Sequence, residues 1–245
     1  MTAPWKLTLD NALLTRNVDV WTTAQLLGQA MLDPNPPSKP SFNRWVDEAV
    51  ESGKLQRVRR GVFLNSMGNR RVHAAAASTC IRRNAVPSLS WVLEQDWLLN
   101  NFGDVVTCTV PMAPGIKLIN VASVKTELGS FRFHTLPRRI HEPDALPVED
   151  WRDNRFDYPR ATPEKAFADW LYLARSPRSR LKHPPYDLEF AQLNKKRLAR
   201  IIKALSLEDV YQEWVEKKTQ YDQDPDVSAN DYTGEVPRVK KPSKG

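Results

Sequence analysis

Cysteine is nearly missing from this chain: Cys80 and Cys108 stand far apart, each among apolar neighbours. That argues against a disulfide framework and against a thiolate metal cluster, and both thiols are expected in a core. Histidine is scarce as well, and His73, His134, His141 and His183 fall into no His-x-x-x-His or Glu-x-x-His arrangement. No metal and no cofactor is expected. Glycine numbers only 9 residues, none of them in a G-x-G-x-x-G or Walker pattern, so a phosphate-cradling loop is not expected. No run of about 18 apolar residues is available to span a bilayer, and the opening residues Met1 to Lys6 lack the apolar segment of a secretion signal. The expectation is a cytoplasmic protein with no membrane partner.

What is abundant is positive charge. Lys and Arg number 36 against 29 Asp and Glu, a net +7 with a sequence pI near 9.4, which favours polyanionic partners. The excess is concentrated: from Lys39 to Arg71 there are eight Lys and Arg against three acids, a net +5.

That basic segment belongs to a longer pattern, from Thr22 to Asn65. Ahead of it, Leu7 to Arg16 reads as a short first helix. Thr22-Thr23-Ala24-Gln25 has the capping-box form and opens a second helix to about Met31, with Ala24, Leu27 and Met31 expected inside. Asp33-Pro34-Asn35-Pro36-Pro37 breaks it. A third helix starts near Ser41, capped by Ser38 or Ser41, and carries Phe42, Trp45, Val46, Ala49 and Val50 at the spacing of one buried face. Gly53 stops it. Leu55 to Val58, the turn Arg59-Arg60-Gly61, and Val62 to Leu64 then read as a hairpin. This is the order of a winged helix-turn-helix.

In that fold the start of the second helix of the motif enters the major groove and the wing lies along the backbone. Lys39, Ser41, Asn43 and Arg44 are therefore the expected base- and phosphate-facing residues, with Arg57, Arg59 and Arg60 of the wing neutralising phosphates.

After a polar link, Ser66 to Arg71, a larger α+β domain is expected over residues 72–221. It begins with an Ala-rich helix from His73 to Ile81, then one opened by Ser88 with Leu89, Val92, Leu93 and Trp97 inside. Strand-like runs follow at 105–110, 116–121 and 131–135, with Gly129-Ser130 as a tight turn, giving a small, mostly antiparallel sheet. Thr162-Pro163-Glu164 is a strong helix start. Two more helices, Asp187 to Leu205 and from Ser206 onward, complete the domain, and residues 222–245 read as a loose tail. The fold class is α+β, with residues 1–68 as the winged-helix domain.

Readings as an enzyme find little. His141, Glu142 and Asp144 crowd a proline-flanked loop that reads as solvated, and Asp104, Lys125 and Glu127 are too scattered for a nuclease centre. No catalytic residue is assigned.

The wing sequence Gly-Lys-Leu-x-Arg-x-x-Arg-Gly-Val-Phe (Gly53 to Phe63), a helix pair, a small sheet, and Ala-Thr-Pro-Glu-Lys-Ala (Ala161 to Ala166) leading a Trp-Leu-rich helix together resemble the AbiEi antitoxin family of bacterial type IV toxin-antitoxin systems. The resemblance covers roughly residues 5–220. It implies an autorepressor whose winged helix binds repeats in its own promoter as double-stranded DNA, and whose larger domain neutralises a nucleotidyltransferase-like toxin. Two other readings compete: a winged-helix adaptor acting through protein contacts, and a DNA-processing enzyme with an unrecognised site.

Overall fold

The computed structural model describes residues 3–67, 72–100, 103–113, 115, 121–176, 179 and 181–223. Helix α1 (Pro4–Thr15) places proline at its first position, where a missing N–H costs nothing, and buries Trp5, Leu9, Ala12 and Leu13. Strand β1 (Val20–Thr22) leads directly into α2 (Thr23–Ala30). The expected capping box is present: the Thr22 hydroxyl accepts from the Gln25 N–H at 3.2 Å, and the Gln25 side-chain oxygen accepts from the Thr22 N–H at 2.8 Å. The buried face of α2 differs from expectation. Leu26 and Ala30 are inside, Leu27 is half-buried, and Ala24 and Met31 face solvent. Thr22 is both the cap of α2 and the last residue of a paired strand, so the sheet rather than the hydrophobic spacing sets the rotation of this short helix.

Helix α3 (Lys39–Glu51) begins two residues before the expected start, because Ser38 is its cap, and it buries Phe42, Trp45, Val46 and Ala49 as expected. Strands β2 (Leu55–Arg59) and β3 (Val62–Asn65) form the hairpin, and Gly61 takes φ +77° in its turn. With β1 they make an antiparallel sheet in the order β1-β3-β2. This element order and sheet are those of a winged helix.

The rest of the described chain is α+β. A 3-10 turn at Ala74–Ala77 runs into α4 (Ser78–Ile81), followed by β4 (Val86–Pro87) and α5 (Leu89–Gln95). Leu89, Val92 and Leu93 are buried, whereas Trp97 lies beyond the end of α5 and is 69 % exposed, so it does not belong to the expected stripe. Strands β5 (Val105–Pro111), β6 (Val121–Thr126) and β7 (Gly129–Leu136) join β4 in the order β4-β5-β7-β6. Two of the three pairings are antiparallel and β5–β7 is parallel. The expected strand at 116–121 falls almost wholly outside the described residues, as does most of the link at 66–71; of the tail expected at 222–245, Asp222 and Gln223 belong to the last helix and the rest lies outside the described residues. The β6–β7 turn is at Glu127-Leu128, not at Gly129-Ser130. Gly129 pairs with Thr126 at φ +117°, and a Cβ there would lie 2.7 Å from the Asp104 carbonyl oxygen.

Short helices α6 (Arg138–His141) and α7 (Val148–Trp151) precede α8 (Pro163–Arg175). Helix α8 is capped by the Thr162 hydroxyl, which accepts from the Lys165 N–H at 3.3 Å, and is buried on nearly every side. Helix α9 (Lys195–Ala204) starts later than expected because Asn194 caps it, and residues 190–192 form a separate 3-10 turn. Helix α10 (Glu208–Gln223) seals the layer with Val210 and Trp214. Cys108 is buried, Cys80 is half-buried, and both are free thiols. Among the described residues no helix is long and apolar enough to cross a membrane.

Among the described residues there are two clusters of buried apolar side chains, and the hairpin serves both. Leu55 and Phe63 pack with Trp5, Leu9, Phe42 and Trp45, while Val58, Val62 and Leu64 join the larger cluster of Phe131, Phe133, Phe167 and Trp214. Strand alternation sends Phe63 to one face and its two neighbours to the other. A register shift between Arg57 and Arg59 takes Val58 out of the ladder, and its carbonyl accepts from the Glu127 N–H at 3.1 Å. The wing is thus fastened to the β6–β7 turn.

Candidate nucleic-acid interface

The first two turns of α3 present Lys39, Ser41, Asn43 and Arg44 to solvent, opposite the buried Phe42 and Trp45. The Ser38 hydroxyl accepts from the Ser41 N–H at 3.4 Å, and the two hydroxyls lie 2.9 Å apart, so Ser41 helps order the helix start. The helix dipole adds positive potential at this end. The acids of α3, Asp47, Glu48 and Glu51, lie further along, and the first two are paired with cations. Asp47 accepts from Arg57 at 3.0 Å, and Glu48 from Lys6 at 2.8 Å. The Lys6 hydrogen bond, with Lys6, Arg44 and Lys54 charges nearby, holds the Glu48 carboxyl below its usual range. The exposed face of α3 therefore grades from cationic at its start to partly paired acids along its second half.

The wing arginines are divided. Arg57 lies back along the hairpin, paired to Asp47 with its guanidinium 5.7 Å from the centre of the Phe63 ring. Arg59 donates from Nη2 to the Cys80 carbonyl at 2.6 Å, and Arg60 is exposed at the turn. The turn itself does not stand away from the body: the Gly61 carbonyl accepts from the Thr23 N–H at 3.0 Å, beside the start of α2. The seven residues expected to meet DNA thus form two groups, one at the start of α3 and one at the wing turn, with Arg57 between them occupied by Asp47.

The larger part of the chain holds polar clusters that no local sequence pattern signals. Lys165 and Asp169 pair one turn apart on α8, and Asp169 Oδ2 accepts from the Ser88 hydroxyl at 2.7 Å. All three are buried, as is His141, whose Nε2 lies 3.4 Å from the Thr109 carbonyl. Burial first, and then the Lys165 charge, lower His141 to about 4. Serine, lysine, aspartate and histidine in one region invite a catalytic reading, but these side chains are closed off from solvent and tie α8 to the segment entering α5. Lys165 and Asp169 stand one turn apart on α8, but their Ser88 partner is remote in the chain.

An open cleft of about 520 Å³ is lined by Glu149, Arg152, Asp153, Arg155, Glu164 and Arg197, among others. Asp153 is held by Arg155 and Arg160, and Glu164 by Arg197, so much of its charge is already paired. Asp104, Lys125 and Glu127 come to the same end of the sheet, but among the described residues no group of three or more His, Cys, Asp or Glu side chains converges as a metal site requires.

The fold defines a winged-helix protein with an α+β extension. No protein-family model matches the chain, and no curated protein does. Among solved structures, it is similar to the crystal structure of the RV2827C protein from Mycobacterium tuberculosis, with 14% sequence identity and a TM-score of 0.46 over 83% of this chain and 72% of that one.

Proposed function

We propose that the chain is a sequence-specific DNA-binding regulator that represses its own promoter, reading bases with Asn43 and Arg44 and holding phosphates with Lys39 and Arg60. The observation that carries this reading is the start of α3. It is capped, exposed, and bears Lys39, Asn43 and Arg44 with no acid before Asp47. A helix of this kind in a winged helix meets the major groove with its first residues. From the resemblance of its motifs to AbiEi antitoxins, the α+β part is proposed to neutralise a nucleotidyltransferase-like toxin. A nucleotidyltransferase gene beside this one, whose product co-purifies with the chain, is the expected finding for that half.

Gel retardation with the sequence upstream of the gene tests the DNA half. Binding should weaken with salt by about 0.9 logarithmic units per phosphate contacted. Arg44→Ala should erode discrimination between that sequence and a scrambled duplex, while Arg60→Ala should lower affinity for both alike. Equal effects of the two substitutions on both duplexes contradict the assigned roles.

A second reading, an adaptor acting through protein contacts, draws support from the wing. Arg57 and Arg59 are engaged within the protein, and three hairpin side chains belong to the larger core. Absence of retardation at low salt decides for the adaptor.

A further inference from the structure

We propose that the loop Arg82–Asn84, in the α+β part of the chain, is a second contact for the phosphate backbone of duplex DNA, continuous with the wing turn. The proposal rests on the DNA-binding reading above and extends its surface beyond the winged helix.

The hydrogen bond from Arg59 to the Cys80 carbonyl sets the end of α4 against the wing. Arg82 and Arg83 follow Cys80 immediately, so Arg83 lies within about 11 Å of chain from that junction. The loop is ordered: the Arg82 N–H donates to the Ser78 carbonyl at 2.8 Å, and the Ala85 N–H to the Arg82 carbonyl at 3.1 Å. Asn84 takes φ +59°, a left-handed conformation in which asparagine is among the better-tolerated residues, and this turns the chain back toward β4. Arg82 is half-buried with its guanidinium 5.6 Å from the centre of the Phe133 ring, while Arg83 and Asn84 are exposed at the apex.

The arginines of this edge differ from those around the cleft. Arg155, Arg160, Arg197 and Arg200 are each paired with carboxylates. Among the described residues, no carboxylate pairs with Arg59, Arg60, Arg82 or Arg83. Arg59 and Arg60 on the wing side and Arg82 and Arg83 on the loop side thus flank the Arg59–Cys80 junction, with Arg59 fixed by a backbone carbonyl and Arg82 by an aromatic ring. Arg59 spends one Nη2 donor on Cys80 and is itself exposed, so its remaining N–H groups are available to an anion. Such a group suits a row of phosphates and carries no base-reading element, so it adds affinity without selectivity.

The test is a titration of the full chain against the upstream duplex and a scrambled duplex of equal length, at several salt concentrations. Arg83→Ala should lower affinity several-fold on both duplexes and reduce the salt slope by about 0.9. Arg83→Glu should lower affinity further. Lys203→Ala, an exposed cation on α9, should match the unsubstituted protein, and thermal melting should show all the variants folded. If both Arg83 variants bind with the original slope while Arg44→Ala still loses discrimination, the loop contact is overturned and the DNA-binding reading stands. A loss confined to the upstream duplex also overturns it, because that is the signature of base readout. If the unsubstituted chain binds neither duplex at low salt, the DNA-binding reading fails and the loop contact with it.

Discussion

Glu94, on α5, is buried, and that burial raises its carboxyl to about 7 against the opposing Gly103 N–H. Burial acts oppositely on His134 and His141, lowering them to about 3 and about 4. The consequences for stability oppose each other. A carboxyl whose folded value lies above its unfolded 4.5 contributes stability that is complete below 4.5 and lost as pH rises toward 7. A histidine whose folded value lies below its unfolded 6.5 contributes stability that is complete above 6.5 and lost on acidification through the folded value. Between pH 6.5 and 4.5 the histidines favour unfolding while Glu94 resists it. Glu94→Gln should therefore steepen the fall of melting temperature across this window; an unchanged slope would show that Glu94 titrates normally. At this scale the sequence was legible where a side chain serves its own helix, as Thr22, Ser38 and Thr162 do. The Ser88–Asp169 contact was not legible, because nothing local to Ser88 signals a partner on α8.

Helix and strand identities follow from patterns the sequence displays openly, and the errors fall where one element dictates to another. Helix α3 kept its expected face because it is long and strongly amphipathic. Helix α2 did not, since its start is locked into β1. The β6–β7 turn moved two residues toward the N-terminus for a steric reason. Gly129 must pass the Asp104 carbonyl at the edge of β5, a neighbour that hairpin rules do not include. Gly129→Ala should thus be strongly destabilising, by about 2 kcal/mol or more, combining a left-handed backbone with a contact against another strand. Chemical denaturation measures it, and a change within about 0.5 kcal/mol would show that the strand edge can relax.

The candidate DNA surface was half legible as well. Exposure of Lys39 to Arg44 follows from the buried face of α3, but the occupation of Arg57 by Asp47 and of Arg59 by Cys80 depends on how the whole chain packs. That packing makes the hairpin common property of two cores, so the described parts should melt together. A single calorimetric transition is expected for the full chain. A fragment ending at residue 67 should expose Val58, Val62 and Leu64, bind a hydrophobic dye and melt without a sharp transition. A well-folded fragment with the full chain's cooperativity would show the winged helix to be independent.

The hairpin's divided loyalty also has a consequence in time. During synthesis the winged helix leaves the ribosome first, yet the Val58 carbonyl of its wing is met by the Glu127 N–H, about seventy residues later in the chain. At translation speeds of about 5–20 residues per second, the wing waits several seconds for the β6–β7 turn that fastens it. A nascent chain of this protein therefore passes through an interval in which α3 can form while its wing is still unfastened, and a chaperone acting on the growing chain has its natural target there.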